Sequence, residues 1–377
     1  MSASLVHPRA IVSGDRLILA AVWAAALGTI GALINADQWS SIPLFLVAVG
    51  LGAVFLLTRF GFTGAFRAFL NRGDGAELSA GLLIAAIAAL VIIPVSAAIP
   101  GYSGFVAPLG LPLIGGAALF GIGMQLGNGC GSGTICHAGG GSRRMWVTIP
   151  FFALGGVLGT LILPASLRLP AFAPIGFSDW FGSLGGLITT LALLAALAAV
   201  LLRRSPMPSL PQLRTAAIIG ILAALAFLLS GQPWGVTMGL TLWGAKFLTV
   251  VNADFGNAIA QSEFWNWDGA RQALTGPILA QDSSLMDIGV ILGAALVAAH
   301  RGSFRRQPWP AFRGIIASAI GGLLMGFGGR LSFGCNIGAL IGGISSGSLH
   351  GFVWLLAAMP GCWIGIRLRP LAGLSRE

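Results

Sequence analysis

Long apolar runs alternate with short polar connections along the 377 residues. Ten of the runs are long enough to cross a hydrocarbon core of about 30 Å, which takes about twenty helical residues. They fall at 17–35, 41–58, 78–99, 110–128, 146–163, 181–202, 214–231, 285–300, 311–330 and 349–366. Four further apolar stretches, 61–70, 131–141, 234–249 and 336–346, are too short or too glycine-rich to cross alone. Broken or re-entrant helices fit them, because such backbone survives at membrane depth only when buried in protein or lining a cavity. The pattern predicts an all-α polytopic membrane protein, with a single transmembrane domain over 1–377.

Composition sharpens this picture. Mean hydropathy is +0.89, 56% of residues are hydrophobic and 8% are charged, where a soluble domain carries about a quarter. The net charge of +10 sits on arginines between the runs. It forms no basic stripe interleaved with aromatics, so the expected partner is the lipid bilayer and not a nucleic acid. Arg9 and Arg16 precede the first run, and Arg59, Arg67 and Arg72 follow the second. Arg143 and Arg144 follow the fourth, and Arg203, Arg204 and Arg214 the sixth. Arg301, Arg305, Arg306 and Arg313 follow the eighth, and Arg367, Arg369 and Arg376 the last. Every even-numbered connection is basic. Acidic residues gather after the seventh run: Asp254, Glu263, Asp268, Asp282 and Asp287. The positive-inside rule then predicts an inner-membrane protein with both termini in the cytoplasm. The first run reads as a span, not a signal peptide, because it is long and lacks a small-x-small cleavage site.

Two glycine-rich cysteine motifs interrupt the apolar pattern. One runs from Gly127 to Ser142 around Cys130, the other from Leu331 to Ser348 around Cys335. Aligned on the thiols, Gly129-Cys130-Gly131-Ser132-Gly133 matches Gly334-Cys335-Asn336-Ile337-Gly338. The surrounding halves, 41–163 and 214–366, each hold a span, a short segment, two more spans, a motif and a closing span. The short segments also correspond, Gly61-Phe62-Thr63 with Gly235-Val236-Thr237. Five crossings separate the second span from the seventh, so the halves have opposite orientation. Inverted repeats with broken helices are a transporter design with substrate bound near the midplane. The Cys130 motif is expected to enter from the cytoplasmic side and the Cys335 motif from outside.

Close helix packing through small residues accounts for Gly155-Gly156, Gly185-Gly186 and Gly321-Gly322. It does not account for the polar residues of the motifs, among them Asn128, Ser132, Thr134, Asn336, Ser345 and Ser346. Glycine-rich turns leading into short helices present free N–H groups and the positive end of a dipole, which suits an anion. A neutral thiol is a soft, weak donor. Such a site favours a sulfur-bearing anion over a hard phosphate and attracts it without trapping it. The candidate path residues are Cys130, Cys335, Gly129, Gly131, Gly133, Gly334 and Asn336, with Thr63 and Thr237 from the short segments. Cys136 is a further candidate, although its repeat partner is Ile341. Arg330 and Lys246, cationic residues beside or within apolar segments, are candidates to gather the anion. His137 and His350 read as structural, and Cys362 as filler in the last span.

On these motifs, with Gly121-x-Gly-Met-Gln-Leu before Cys130 and Gly326-Phe-Gly-Gly-Arg before Cys335, the chain resembles the YeeE/YedE family of sulfur-transport membrane proteins. The resemblance covers about 41–366. It implies an hourglass-like inverted repeat with short helices pointing at the waist, and thiosulfate uptake. It also implies that Cys130 and Cys335 pass thiosulfate inward by S–H···S hydrogen bonds, and that a cytoplasmic sulfur-carrier protein of the TusA type is a partner. The family's thiosulfate transporters carry a further cysteine in the first short segment, where this chain has Thr63. Either Cys136 substitutes, or a different sulfur or selenium species is moved. No cofactor or metal is expected. A membrane thiol or persulfide enzyme is the alternative, but no C-x-x-C and no base paired with a nucleophile supports it. A non-transporting subunit, the third reading, predicts that both cysteines tolerate alanine. No nucleotide-binding loop is present.

Overall fold

The computed structural model describes residues 13–304 and 308–376. The first half of the chain forms α1 Ser13–Asn35, α2 Ile42–Thr58, α3 Phe62–Arg72 and α4 Ala76–Ala98. Then come α5 Leu111–Gly127, α6 Gly131–Gly139, α7 Arg143–Ser166 and α8 Phe177–Leu202. The second half begins with α9 Leu210–Ser230, α10 Val236–Val251, α11 Ala253–Gln261, α12 Asp268–Thr275 and α13 Asp282–His300. It ends with α14 Phe312–Leu331, a π-helix Asn336–Gly342 running into α15 Gly343–Ser345, and α16 Leu349–Leu368. Ten helical segments among the described residues are long and apolar enough to cross a membrane, and each overlies one predicted run. All four short apolar stretches are helical: α3, α6, α10 and the π-helix with α15.

Local chemistry sets the helix starts. Pro43, Pro112 and Pro211 lie in the first turns of α2, α5 and α9, where a missing N–H costs nothing. Ser209 and Gln212 close a reciprocal capping box on α9. Prolines inside α4, α7 and α16 are tolerated because neighbouring membrane helices can satisfy the freed backbone.

The packing rests on bare backbone. Helix α14 lies against α7 and α5, α16 against α5, and α13 against α2, while α10 reaches both α7 and α13. A β-carbon on Gly116 would stand 2.6 Å from the Gly328 carbonyl, and one on Gly328 would stand 2.5 Å from the Gly116 carbonyl. Without a hydrophobic force between helices in lipid, such close approach supplies the dispersion contact that holds them. Gly155, Gly156, Gly321 and Gly322 serve the same purpose against Leu323, Thr241, Gly127 and Thr148. Gly185 and Gly186 do not. They face Phe181 and Ser178 of their own helix, where Gly182, at φ 68°, breaks α8.

The basic connections meet on one face. There the Gly75 amide donates to Ser205 Oγ at 2.7 Å, Asn71 donates to the Arg376 carbonyl and Arg143 lies over Trp309. Arg9, Arg305 and Arg306 are outside the described residues. A second set of connections is tied by the two-residue strands β1 Leu109–Gly110 and β2 Ala171–Phe172 and by the Arg168–Glu263 salt bridge. Asp254, Asp268 and Asp282 lie in α11, α12 and the first turn of α13, and Asp287 departs furthest from the predicted loop. Asp287 is not in a loop, because α13 begins at Asp282 and buries Asp287 completely. Its Oδ1 accepts from Trp234 Nε1 at 3.2 Å.

Candidate functional site

Each cysteine motif folds as a turn followed by a short helix capped by the thiol residue. Asn128 ends α5 in the left-handed region at φ 62°, a conformation asparagine tolerates better than most residues. Cys130 then caps α6, and the Gly133 amide donates to its sulfur at 3.4 Å. The Ser132 hydroxyl lies 3.6 Å from the same sulfur. In the second motif Phe333 and Gly334 turn the chain with φ 62° and 152°. A β-carbon on Gly334 would stand 2.6 Å from the Ala339 nitrogen, so this turn requires glycine. Cys335 then caps the π-helix, with its carbonyl accepting from Ala339 and Leu340. The amides of Ile337 and Gly338 face its sulfur.

The two helix starts meet. A β-carbon on Gly131 would stand 3.0 Å from the Cys335 sulfur and 3.7 Å from Val236. The start of α10 joins them, with the Gly235 Cα 3.4 Å from the β-carbon position of Gly338. Thr237, two residues on, brings its hydroxyl oxygen near the Cys335 thiol without bonding it. That oxygen, both amide atoms of Asn336 and the Thr134 hydroxyl are buried without a hydrogen-bond partner. Leaving a buried polar atom unpaired costs about 1–3 kcal/mol, so each of these groups calls for an explanation. Cys130 and Cys335 are free thiols, 1% and 0% exposed, so neither sulfur is open to solvent in this structure.

The remaining candidates are placed unevenly. Gly61 and Gly235 each cap a short helix, so Thr63 and Thr237 hold the same second position in α3 and α10. Thr63 is linked to α5, its carbonyl accepting from Gln125 Nε2 at 3.1 Å, and its buried hydroxyl is unpartnered. Cys136 turns toward α2, its sulfur 3.9 Å from the Gly52 carbonyl. Arg330 is half-buried, 3.5 Å from Met238 Sδ and stacked at 4.6 Å over Phe264, with Nε unpartnered. Lys246 is not part of this meeting point. Its ammonium donates at 2.6 Å to the carbonyls of Leu274 and Gly276 and ties down the end of α12. His350 is bonded to Ser348 at 2.7 Å and edge-on to Phe105, with Nε2 buried and unpartnered. Cys362 is fully buried in the core. The sequence reading names Thr134 among the polar residues of the first motif but not among the candidate path residues, and does not single out Gln125; each has a buried side-chain oxygen without a partner. Their signal was a polar side chain in or beside a motif with no surface to reach.

Comparison with known proteins adds to this geometry. A family model described as sulphur transport matches residues 57–364. The probable transporter YedE of Escherichia coli (strain K12) is 33% identical over 149 residues, 39% of this chain and 35% of that protein. YedE of Salmonella typhimurium matches to the same extent. The chain thus aligns with about a third of the length of these YedE proteins. The thiosulfate transporter TsuA of Spirochaeta thermophila is 26% identical over 282 residues, 68% of this chain and 78% of TsuA.

Proposed function

The chain belongs to the sulphur-transport family, and from that premise we propose that it carries thiosulfate or a related sulfur-containing anion across the membrane between its paired thiols. One observation carries the reading. Two short helices, each capped by a cysteine, bring their starts together so that the Cys335 sulfur rests on Gly131. Helix starts concentrate positive potential and free N–H groups. An anion passing between them is stabilised without a fixed cation that would hold it. The thiols offer the sulfur end of thiosulfate a soft S–H donor, while Thr134, Thr237 and Asn336 can bond its oxygens. The name of TsuA supports thiosulfate as the substrate.

In this mechanism the anion descends past Arg330, bonds the Cys335 thiol, passes to Cys130 and leaves along α6. The equal placement of Thr63 and Thr237 supports reading 41–163 and 214–366 as an inverted repeat. The gathering of basic connections on one face supports an inner-membrane location with that face and both termini cytoplasmic. A sulfur carrier of the TusA type would take the anion there. The test is uptake of radiolabelled thiosulfate into proteoliposomes by the wild type, Cys130→Ala and Cys335→Ala. Uptake abolished by both substitutions is the expected result. Uptake that survives both would sink the thiol path, and a well-folded wild type without uptake would remove thiosulfate.

A further inference from the structure

The face bearing the basic connections holds three neighbouring arginines, none of which forms a salt bridge among the described residues. Arg369 is 2% exposed. Its Nη1 donates to the Gln125 carbonyl at 2.9 Å and to Asn128 Oδ1 at 3.0 Å. Arg144 Nη2 donates to the Leu126 carbonyl at 3.0 Å. Both therefore sit on late carbonyls of α5, five and four residues before Cys130. Arg67 lies one turn after Thr63 on α3, the helix that Gln125 ties to α5, and is within electrostatic reach of Arg369.

Capping the end of a helix explains two of these residues. It does not explain Arg67, which donates no hydrogen bond among the described residues and whose Nη1 is buried and unpartnered. The Nε of Arg144 is likewise buried and unpartnered. Glu77 and Arg72 are the other charges that reach Arg67. Glu77 forms no salt bridge with it, because the one salt bridge among the described residues joins Arg168 and Glu263. Among the described residues none of the three guanidinium groups has a salt bridge, and Glu77 is the one acidic group that reaches Arg67; they repel one another, and guanidinium N–H donors left without a partner are a fork for oxyanions.

We propose that Arg67, Arg144 and Arg369 form a second anion site, taking a tetrahedral oxyanion such as thiosulfate or sulfate as it leaves the Cys130 motif. Its position and its ligand as cargo rest on the transport reading; its capacity to bind an oxyanion does not. The site draws the anion off the thiols and lowers the barrier to release.

The test follows thermal unfolding of the full-length protein in detergent, titrated with sodium thiosulfate or sodium sulfate against sodium chloride. A ligand that binds only the folded state raises the midpoint saturably. Both oxyanions should stabilise the wild type, with the apparent Kd rising about tenfold in Arg67→Gln, the effect of one charge-assisted hydrogen bond. The exposed Arg214→Gln should match the wild type. Without added anion, Arg67→Gln should unfold at the same or a higher temperature, since it removes a repulsion; a purely structural arginine would lower the midpoint. The effect of Arg67→Gln should persist in Cys130→Ala/Cys335→Ala, which separates this site from the thiol path. Equal anion response in the wild type and Arg67→Gln would overturn the proposal. A headgroup phosphate is also an oxyanion, so the titration is repeated in phosphatidylcholine nanodiscs with and without phosphatidylglycerol. If phosphatidylglycerol abolishes the sulfate response, the site belongs to lipid and the release role is overturned.

Discussion

Cys130 and Cys335 stand at equivalent cap positions, yet their surroundings differ. Amides of the following helix face both sulfurs, but Cys130 lies beside the Ser132 hydroxyl, whereas Cys335 has Thr237 near it. A hydroxyl is a harder donor than a thiol. Cys335→Ser should therefore keep transport of sulfur oxyanions but lose preference for thiosulfate over sulfate, measured by competition in the uptake assay. Equal preference in the variant and the wild type would show that the thiol does not read sulfur. Thr63 holds in α3 the position that Thr237 holds in α10. Thr63→Cys restores the thiol that the resemblance leads one to expect, and should raise thiosulfate uptake at limiting substrate. Lys246 is different in kind. Its two hydrogen bonds tie a connection, so Lys246→Met should lower stability by about 1–3 kcal/mol and leave the half-saturating thiosulfate concentration unchanged. A shift in that concentration would return Lys246 to the path.

Among the elements, the hydropathy pattern was sufficient to place all ten spanning helices and four short ones. What it missed follows from one physical fact. Periodicity reports the average apolarity of a segment, not which neighbour a given side chain meets. Asp287 is one polar residue in an apolar helix, and its burial comes from α10 crossing α13. Gly185 and Gly186 look like packing glycines, but they serve a kink in α8 that Gly182 creates. Helix contact can be tested at Gly328, which meets the backbone of α5. Gly328→Val should cost about 1–3 kcal/mol by overpacking. Gly28→Ala in α1, where nothing lies within 4 Å, should be neutral or mildly stabilising. Equal thermal midpoints for the two variants would count against backbone contact as the source of cohesion.

Over the whole molecule, the alternation of arginine-rich and arginine-poor connections becomes two faces. Accessibility of tags at the two termini, in sealed and in permeabilised cells, is expected to place both in the cytoplasm. Termini reached in sealed cells would reverse the direction of the path and put the arginine cluster at its entrance. The class of the protein, its spans, the pairing of its cysteine motifs and its resemblance to sulfur transporters were all legible along the chain, because apolarity, charge spacing and motif repetition are local properties. The meeting of the Cys335 sulfur with Gly131, the arrival of the α10 start beside them and the convergence of Arg67, Arg144 and Arg369 came from the fold alone. These residues lie as much as about three hundred positions apart, and no pattern in the chain measures the distance between helix ends. Close approach of glycine backbones sets that distance, and with it which polar groups are left facing one another without partners.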